Sequence, residues 1–166
     1  MDEWVDIVDE DDQVQGRTTR RAMRQQNLLH RCVAILCRNS QGQIYVHRRT
    51  EQKDLFPGMF DTFVAGTVSA GEHYDHAARR EIAEELGIVG PIPEALFRYR
   101  FEGPHTCSHT AVYRVTWDGK LQHQASEIAW GDYMTVAEIL EKSATWRFVP
   151  DGWAIFQHYL RAHQSQ

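Results

Sequence analysis

The stretch that decides the reading runs from Gly66 to Ile88, GTVSAGEHYDHAARREIAEELGI. From about His73 to Leu86 its apolar residues, Tyr74, Ala77, Ala78, Ile82 and Leu86, recur at the 3.6-residue spacing of an amphipathic helix. Gly87 stands where a C-terminal cap belongs and Pro91 follows, so the helix is expected to stop there. Opposite the apolar stripe lie Glu81, Glu84 and Glu85, at i, i+3 and i+4, so three carboxylates leave the helix within about one turn. Like charges at i,i+4 cost a helix a few tenths of a kcal/mol, and these sit near the negative end of its dipole. Taken alone, the cluster fits a solvated acidic face as well as a metal site. A divalent cation would reverse the penalty: Mg²⁺ takes few carboxylates plus water and phosphate oxygens, and Mn²⁺ suits the same ligands.

Working outward, Cys32 to Cys37 (CVAILC) and Gln43 to His47 (QIYVH) are β-rich runs flanking Asn39-Ser40-Gln41-Gly42, a hairpin signal. A short strand is expected over Thr62 to Ala65 (TFVA) before Gly66, and further strands over Ala95 to Phe101 and His109 to Trp117. Helices are expected over Thr135 to Glu141 and Asp151 to His163. At the N-terminus, Trp4 to Val8 alternates like a strand, and the polar stretch Gln15 to Gln26 reads as a helix. The pattern is that of one α/β domain.

The chain has 166 residues, 42% of them hydrophobic and 25% charged, enough to bury a core without disulfides or structural metal. The net charge of −5 comes from the N-terminus: Met1 to Asp12 holds seven acids and no base, leaving 16 acids against 18 Lys and Arg. A nearly neutral body lacks the general basic surface that drives nucleic-acid binding. Arg17, Arg20, Arg21 and Arg24 form a local basic run, read as a solvated face. Three cysteines are too few and too scattered for a disulfide framework, and Cys32 and Cys37, five apart on one strand, face opposite sides. With no apolar run of membrane-spanning length and no signal-like start, cytoplasmic residence is expected.

The 23 residues from Gly66 also match, position for position, the Nudix box: Gly66, five residues, Glu72, seven residues, Arg80-Glu81, Ile82, one residue, Glu84-Glu85, one residue, Gly87 and Ile88. The chain therefore resembles the Nudix hydrolases. That resemblance implies an α/β/α sandwich with a mixed central β-sheet, residues 30–163 as the Nudix domain and residues 1–29 as a strand and helix extension packed on it. It implies metal-dependent cleavage of a diphosphate linkage in a nucleoside diphosphate derivative or another organic pyrophosphate. Glu81, Glu84 and Glu85, with the Gly66 carbonyl, would hold Mg²⁺ or Mn²⁺. Glu81 would orient or deprotonate water, and Arg80, paired with Glu72, would fix the carboxylates. His73 stands where members often place a better-capping Ser or Thr.

The opening EWVDIVDE, the LLHRCVAI strand entry, HRRT followed by Lys53 and Pro57-Gly58, RYR at 98 to 100 and the terminal WRFVPDGW are less specific, but over roughly residues 3 to 160 they resemble the subgroup of isopentenyl diphosphate isomerases and their hydrolase-like relatives. Ala65 stands where the isomerases carry their catalytic cysteine, and residues 104 to 112, PHTCSHTAV, hold no acid where they carry glutamates. The hydrolase branch fits better; an isomerase and a non-catalytic ligand sensor are the alternatives.

Outside the box, Glu127 is a candidate general base, against a plain surface carboxylate. Arg48, Arg49 and Lys53 are candidate substrate-phosphate ligands, against solvated charge. His105, Cys107 and His109 alternate as if on one strand face and could hold zinc, but strand or loop packing is the simpler reading. His30 reads as a structural histidine, and Trp146, Phe148 and Trp153 as aromatic packing rather than a substrate wall. The partner expected is a small diphosphate. The sequence leaves oligomeric state open, a homodimer included.

Overall fold

The computed structural model describes residues 2–163. Its elements in chain order are β1 (Trp4–Val8), β2 (Val14–Thr19), α1 (Arg20–Gln26), β3 (Leu29–Arg38), β4 (Ile44–Arg49), β5 (Phe60–Asp61), β6 (Val64–Thr67), α2 (Tyr74–Leu86), β7 (Glu94–Glu102), β8 (Cys107–Thr116), β9 (Ile128–Met134), α3 (Val136–Lys142) and α4 (Pro150–Ala162).

The nine strands form one mixed sheet organised on β3. β3 runs parallel to β8 from Leu29↔Cys107 to Arg38↔Thr116, and antiparallel to β6 from Cys32↔Thr67 to Ile35↔Val64. A strand covered on both faces reads as a continuous apolar run, and VAILC is one. Val33, Ile35 and Cys37 pack toward α2, against Ala77, Ala78, Ile82 and Leu86. Ala34 and Leu36 pack the other way, with Ile139 of α3 and Ile155, Phe156 and Tyr159 of α4. Helices on both faces make the α/β/α sandwich with its mixed sheet, as expected.

The N-terminal third differs from the sequence reading. Gln15 to Gln26 is not one helix: β2 takes the first half and pairs with β1 from Trp4↔Thr19 to Ile7↔Gly16. Gly16 and the β-branched Thr18 and Thr19 resist helix formation, and β1 supplies hydrogen bonds that they satisfy as a strand. The helix starts at Arg20, where the Thr19 hydroxyl accepts the Ala22 N–H at 3.1 Å as N-cap. β1 also pairs with β3 at Ile7↔His30, so the N-terminal strands β1 and β2 belong to the main sheet.

The strand before α2 lies slightly later than expected, over Val64–Thr67, and besides β2 two further strands were not anticipated, β5 and β9. β9 carries Gly131 in its middle, which weakens a strand signal. That glycine is required by packing: a Cβ there would lie 1.9 Å from the Tyr45 hydroxyl, which crosses over it from β4.

Candidate active site

β6, the loop that follows and α2 place the box residues. The loop is fastened from two sides. Within it, the Ser69 N–H donates to Glu72 Oε1 at 3.1 Å and the Glu72 N–H to the Ser69 carbonyl at 3.0 Å. From outside, the Ala70 N–H donates to the Trp4 carbonyl at 2.8 Å and the Gly71 N–H to Asp6 Oδ2 at 2.9 Å, so β1 holds the loop against the sheet. α2 begins after His73, whose side chain makes no capping hydrogen bond, and ends at Gly87 with φ 71°. The weak cap is offset by the fastened loop and by burial of the apolar face.

Arg80 is the centre of the polar network. It donates to both oxygens of Glu72, to Glu81 Oε1 at 2.8 Å and to the Thr67 carbonyl at 3.2 Å. Glu84, half exposed, lies 3.5 Å from the same guanidinium. Burial alone would raise the Glu72 pKa, but hydrogen bonds from Arg80, His76 and the Ser69 N–H hold it down to about 2. Glu81 goes the other way: burial pushes its carboxyl up to about 7 despite the pull of Arg80. Glu85 is raised well above the usual range by burial, then by the charges of Glu81 and Glu127. Among the described residues the Glu85 carboxylate has no ion pair or hydrogen bond.

Gly66 abuts this cluster. A Cβ there would sit 2.1 Å from Glu81 Oε1 and 2.2 Å from its Cδ, so the glycine is what lets the carboxylate lie against the β6 backbone. No group of three or more His, Cys, Asp or Glu side chains among the described residues converges as a ready-made cation cage. A magnesium-type ion does not need one, since water and substrate oxygens complete its shell. Two buried carboxylates, one of them without an ion pair or hydrogen bond among the described residues, beside the β6 backbone fit such an ion better than they fit isolation.

Glu81, Glu84, Glu85 and Gly66 line a cleft of about 750 Å³. Glu127 lines it too, from the loop before β9, and is ion-paired there with Lys53. The three basic candidates divide. Arg49 and Lys53 line the cleft, whereas Arg48 does not and lies 3.5 Å from Glu51. Arg49 is held by hydrogen bonds from its Nε and Nη2 to the Leu55 carbonyl, at 3.1 and 2.9 Å.

Other candidates fall outside the cleft. His105 is exposed in a turn, Cys107 Sγ faces the Gly103 carbonyl at 3.7 Å, and His109 Nε2 meets the Asp9 carbonyl at 2.9 Å, so the three do not converge. His30 is 1% exposed, with Nδ1 2.8 Å from the Leu28 carbonyl; burial lowers its pKa to about 4 and keeps it neutral. Trp146 stacks on Phe60 with centroids 4.0 Å apart, and Phe148 packs on Trp153 at 4.7 Å, as aromatic packing.

The basic N-terminal run is not one solvated face. Arg17 pairs with Asp6 at 2.9 Å and Arg21 is exposed, but Arg20 and Arg24 line the cleft, each 3.6 Å from Asp54. Their i,i+4 spacing was the available signal. Asp61 and Asp151, also in the lining, carried none, since one belongs to a two-residue strand and the other reads as an ordinary helix-start acid.

The fold and cleft define an α/β/α protein whose strand–loop–helix unit presents buried carboxylates to a cleft. This chain belongs to the Nudix family: the NUDIX domain profile matches residues 28–154. It is 44% identical to an uncharacterized Nudix hydrolase of Streptomyces coelicolor, over 97% of this chain and 90% of the relative. The crystal structure of DR0079 from Deinococcus radiodurans superposes with a TM-score of 0.74 at 32% identity, covering 88% of this chain and 92% of that one. A MutT protein from Methanosarcina mazei shares the fold with a TM-score of 0.69 at 20% identity, over 83% and 96%. The chain is thus a Nudix hydrolase of pyrophosphohydrolase type. Among the described residues no helix is long and apolar enough to cross a membrane.

Proposed function

We propose that this enzyme hydrolyses a diphosphate linkage in a nucleoside diphosphate derivative or another organic pyrophosphate, with Mg²⁺ or Mn²⁺ held by Glu81, Glu84, Glu85 and the Gly66 carbonyl. The observation that carries the reading is the pair Glu81 and Glu85, each 8% exposed, in a cleft that also presents Arg49 and Lys53. When bound, the divalent ion supplies charge neutralisation at the phosphates and acidifies water.

The chain's own groups do the rest. Arg80, fixed by Glu72, orients Glu81. From that position Glu81 takes the proton of the attacking water. Arg49 and Lys53 hold the departing phosphate and spread its charge. In this arrangement Lys53 neutralises Glu127, which supports a substrate-sensing partner more than the primary base: a phosphate that captures Lys53 releases Glu127 toward the buried glutamates.

The test is phosphate release from a panel of nucleotide and non-nucleotide diphosphates, with excess chelator and after restoring Mg²⁺ or Mn²⁺. Activity is expected only with the ion present. Undiminished turnover in chelator overturns the metal assignment, and no turnover of any diphosphate overturns the substrate class.

A further inference from the structure

At the cleft wall formed by β5 and α4, two more carboxyls face inward. The Phe60 N–H donates to the Arg147 carbonyl and the Val149 N–H to the Phe60 carbonyl, both at 2.9 Å, which lashes the segment entering α4 to β5. That places Asp151, in the first turn of α4, beside Asp61. Asp61 is 3% exposed and its Oδ1 accepts the Phe63 N–H at 3.1 Å. A Cβ on Gly152 would lie 2.4 Å from the same oxygen, so the glycine makes room for the carboxyl against the helix.

A first-turn aspartate is ordinarily solvated and satisfied by the helix dipole. Asp151 is partly exposed as a residue, but its Oδ1 is shielded from solvent and has no hydrogen-bond partner among the described residues. Neither Asp61 nor Asp151 forms an ion pair within that set. Burial, reinforced by the Asp151 charge, pushes Asp61 up to about 7, and burial raises Asp151 as well. Phe63, Val149 and Ile155 share the lining and give the wall an apolar backing. A buried acceptor left empty is costly, so such a group is matched by a ligand that donates to it.

We propose that Asp61 and Asp151 form the specificity site of the enzyme, reading hydrogen-bond donors on the non-phosphate part of the substrate, with a nucleobase bearing an exocyclic amino group as the class selected. The proposal rests on the diphosphate-hydrolase reading above. The unpartnered Asp151 Oδ1, beside the buried Asp61 carboxyl, offers an acceptor to a ligand that can donate. An exocyclic amino group donates to that acceptor. A prenyl chain does not, and a base with a carbonyl in place of the amine turns an acceptor toward Asp151 Oδ1.

Paired ligands that differ at that one group test this: cytidine against uridine, and adenosine against inosine. Binding of the nucleoside monophosphates is measured calorimetrically, and hydrolysis of the corresponding diphosphate derivatives as kcat/KM. The wild type is expected to favour the amino member of at least one pair by about tenfold or more, since a site built to receive a donor rejects the analogue lacking it. In Asp151→Asn, whose amide can donate, the ratio is expected to collapse or invert. Equal binding of both members by the wild type overturns the proposal, as does a ratio unchanged in Asp151→Asn. If no diphosphate is hydrolysed but the binding preference is present, the substrate class above fails and this site stands. Hydrolysis without preference has the opposite meaning.

Discussion

Arg80 grips Glu72 with two parallel hydrogen bonds, Nε to Oε2 and Nη2 to Oε1, each 2.9 Å, and its remaining nitrogen reaches Glu81 at 2.8 Å. The fork geometry belongs to a guanidinium and a carboxylate, and neither a lysine nor an amide reproduces it. Glu72→Gln is therefore expected to lower kcat by roughly 10- to 100-fold, the range seen when the group that orients a metal-binding carboxylate is lost. Steady-state kinetics at saturating Mg²⁺ check this, and Arg80→Lys should behave alike. Full activity in both would detach Arg80 from the chemistry.

The same pair sets an acid limit. Because the folded Glu72 titrates at about 2 rather than at its ordinary 4.5, its stabilisation is complete above pH 4.5 and is lost as pH falls toward 2. Urea titrations of the wild type and Glu72→Gln are expected to differ most above about pH 5 and to converge in that acid window. A constant difference across it would show that the ion pair does not hold the loop.

Gly66→Ala separates packing from propensity. The added methyl would collide with the Glu81 carboxylate at 2.1 Å, so Glu81 must swing out of its place. Activity is expected to fall by about 100-fold or more, since a displacement of about 1 Å in a catalytic group can cost that much. Circular dichroism should be unchanged. An active variant would mean that Glu81 works from another position.

The box helix and both faces of the sandwich were legible because period and composition agree there: the α2 stripe and the VAILC run admit few alternatives. Function could be read from the box for the same reason. What stayed hidden depends on contacts distant in sequence. β2 is a strand because β1 lies beside it, and Gly131 tolerates a strand because Tyr45 overlies it. Arg20 and Arg24 looked like surface charge until the fold brought α1 over the cleft, and Asp61 and Asp151 are 90 residues apart. Spacing within one helix locates a site; spacing across a sheet does not reveal its walls.

Ala65, which the likeness to the isomerases would set at their catalytic cysteine, lines the cleft, and the cleft also contains Cys32 on the adjacent strand. Burial pushes the Cys32 thiol up to about 12, which keeps it protonated and inert as a base. Incubation with isopentenyl or dimethylallyl diphosphate, followed by product analysis, is expected to show no interconversion. Enzymatic rates would put Cys32 in the missing role, and Cys32→Ala would then abolish them.

For Glu85→Gln the amide keeps the shape and one acceptor oxygen while removing the charge. Loss is expected mainly in kcat and in metal requirement, visible as a changed Mg²⁺ dependence. Thermal stability without metal should hold or rise, by up to about 1 kcal/mol, because the carboxylate is buried without a partner and crowds Glu81. An active enzyme with unchanged metal dependence would remove Glu85 from the site.

Asp61→Asn tests whether the specificity wall is held at a cost to stability. The amide oxygen can still accept the Phe63 N–H, so packing is retained while a buried charge is removed. The sign follows from linkage. Asp61 titrates at about 7 when folded and at its ordinary 3.8 when unfolded, so between those values the folded state holds the extra proton and stability falls as pH rises. Above pH 7 the whole penalty is present; below 3.8 both states are protonated and it vanishes. The Asn variant lacks this slope, although both proteins keep the slopes from Glu81 and Glu85. The stability difference, variant minus wild type, should therefore grow with pH by up to about 1.4 kcal/mol per unit between about pH 4 and 7, then level off. Urea unfolding at half-unit steps measures it. A flat difference would mean that Asp61 is no more strained than a surface carboxylate, and a falling one that a cation in the cleft already satisfies it.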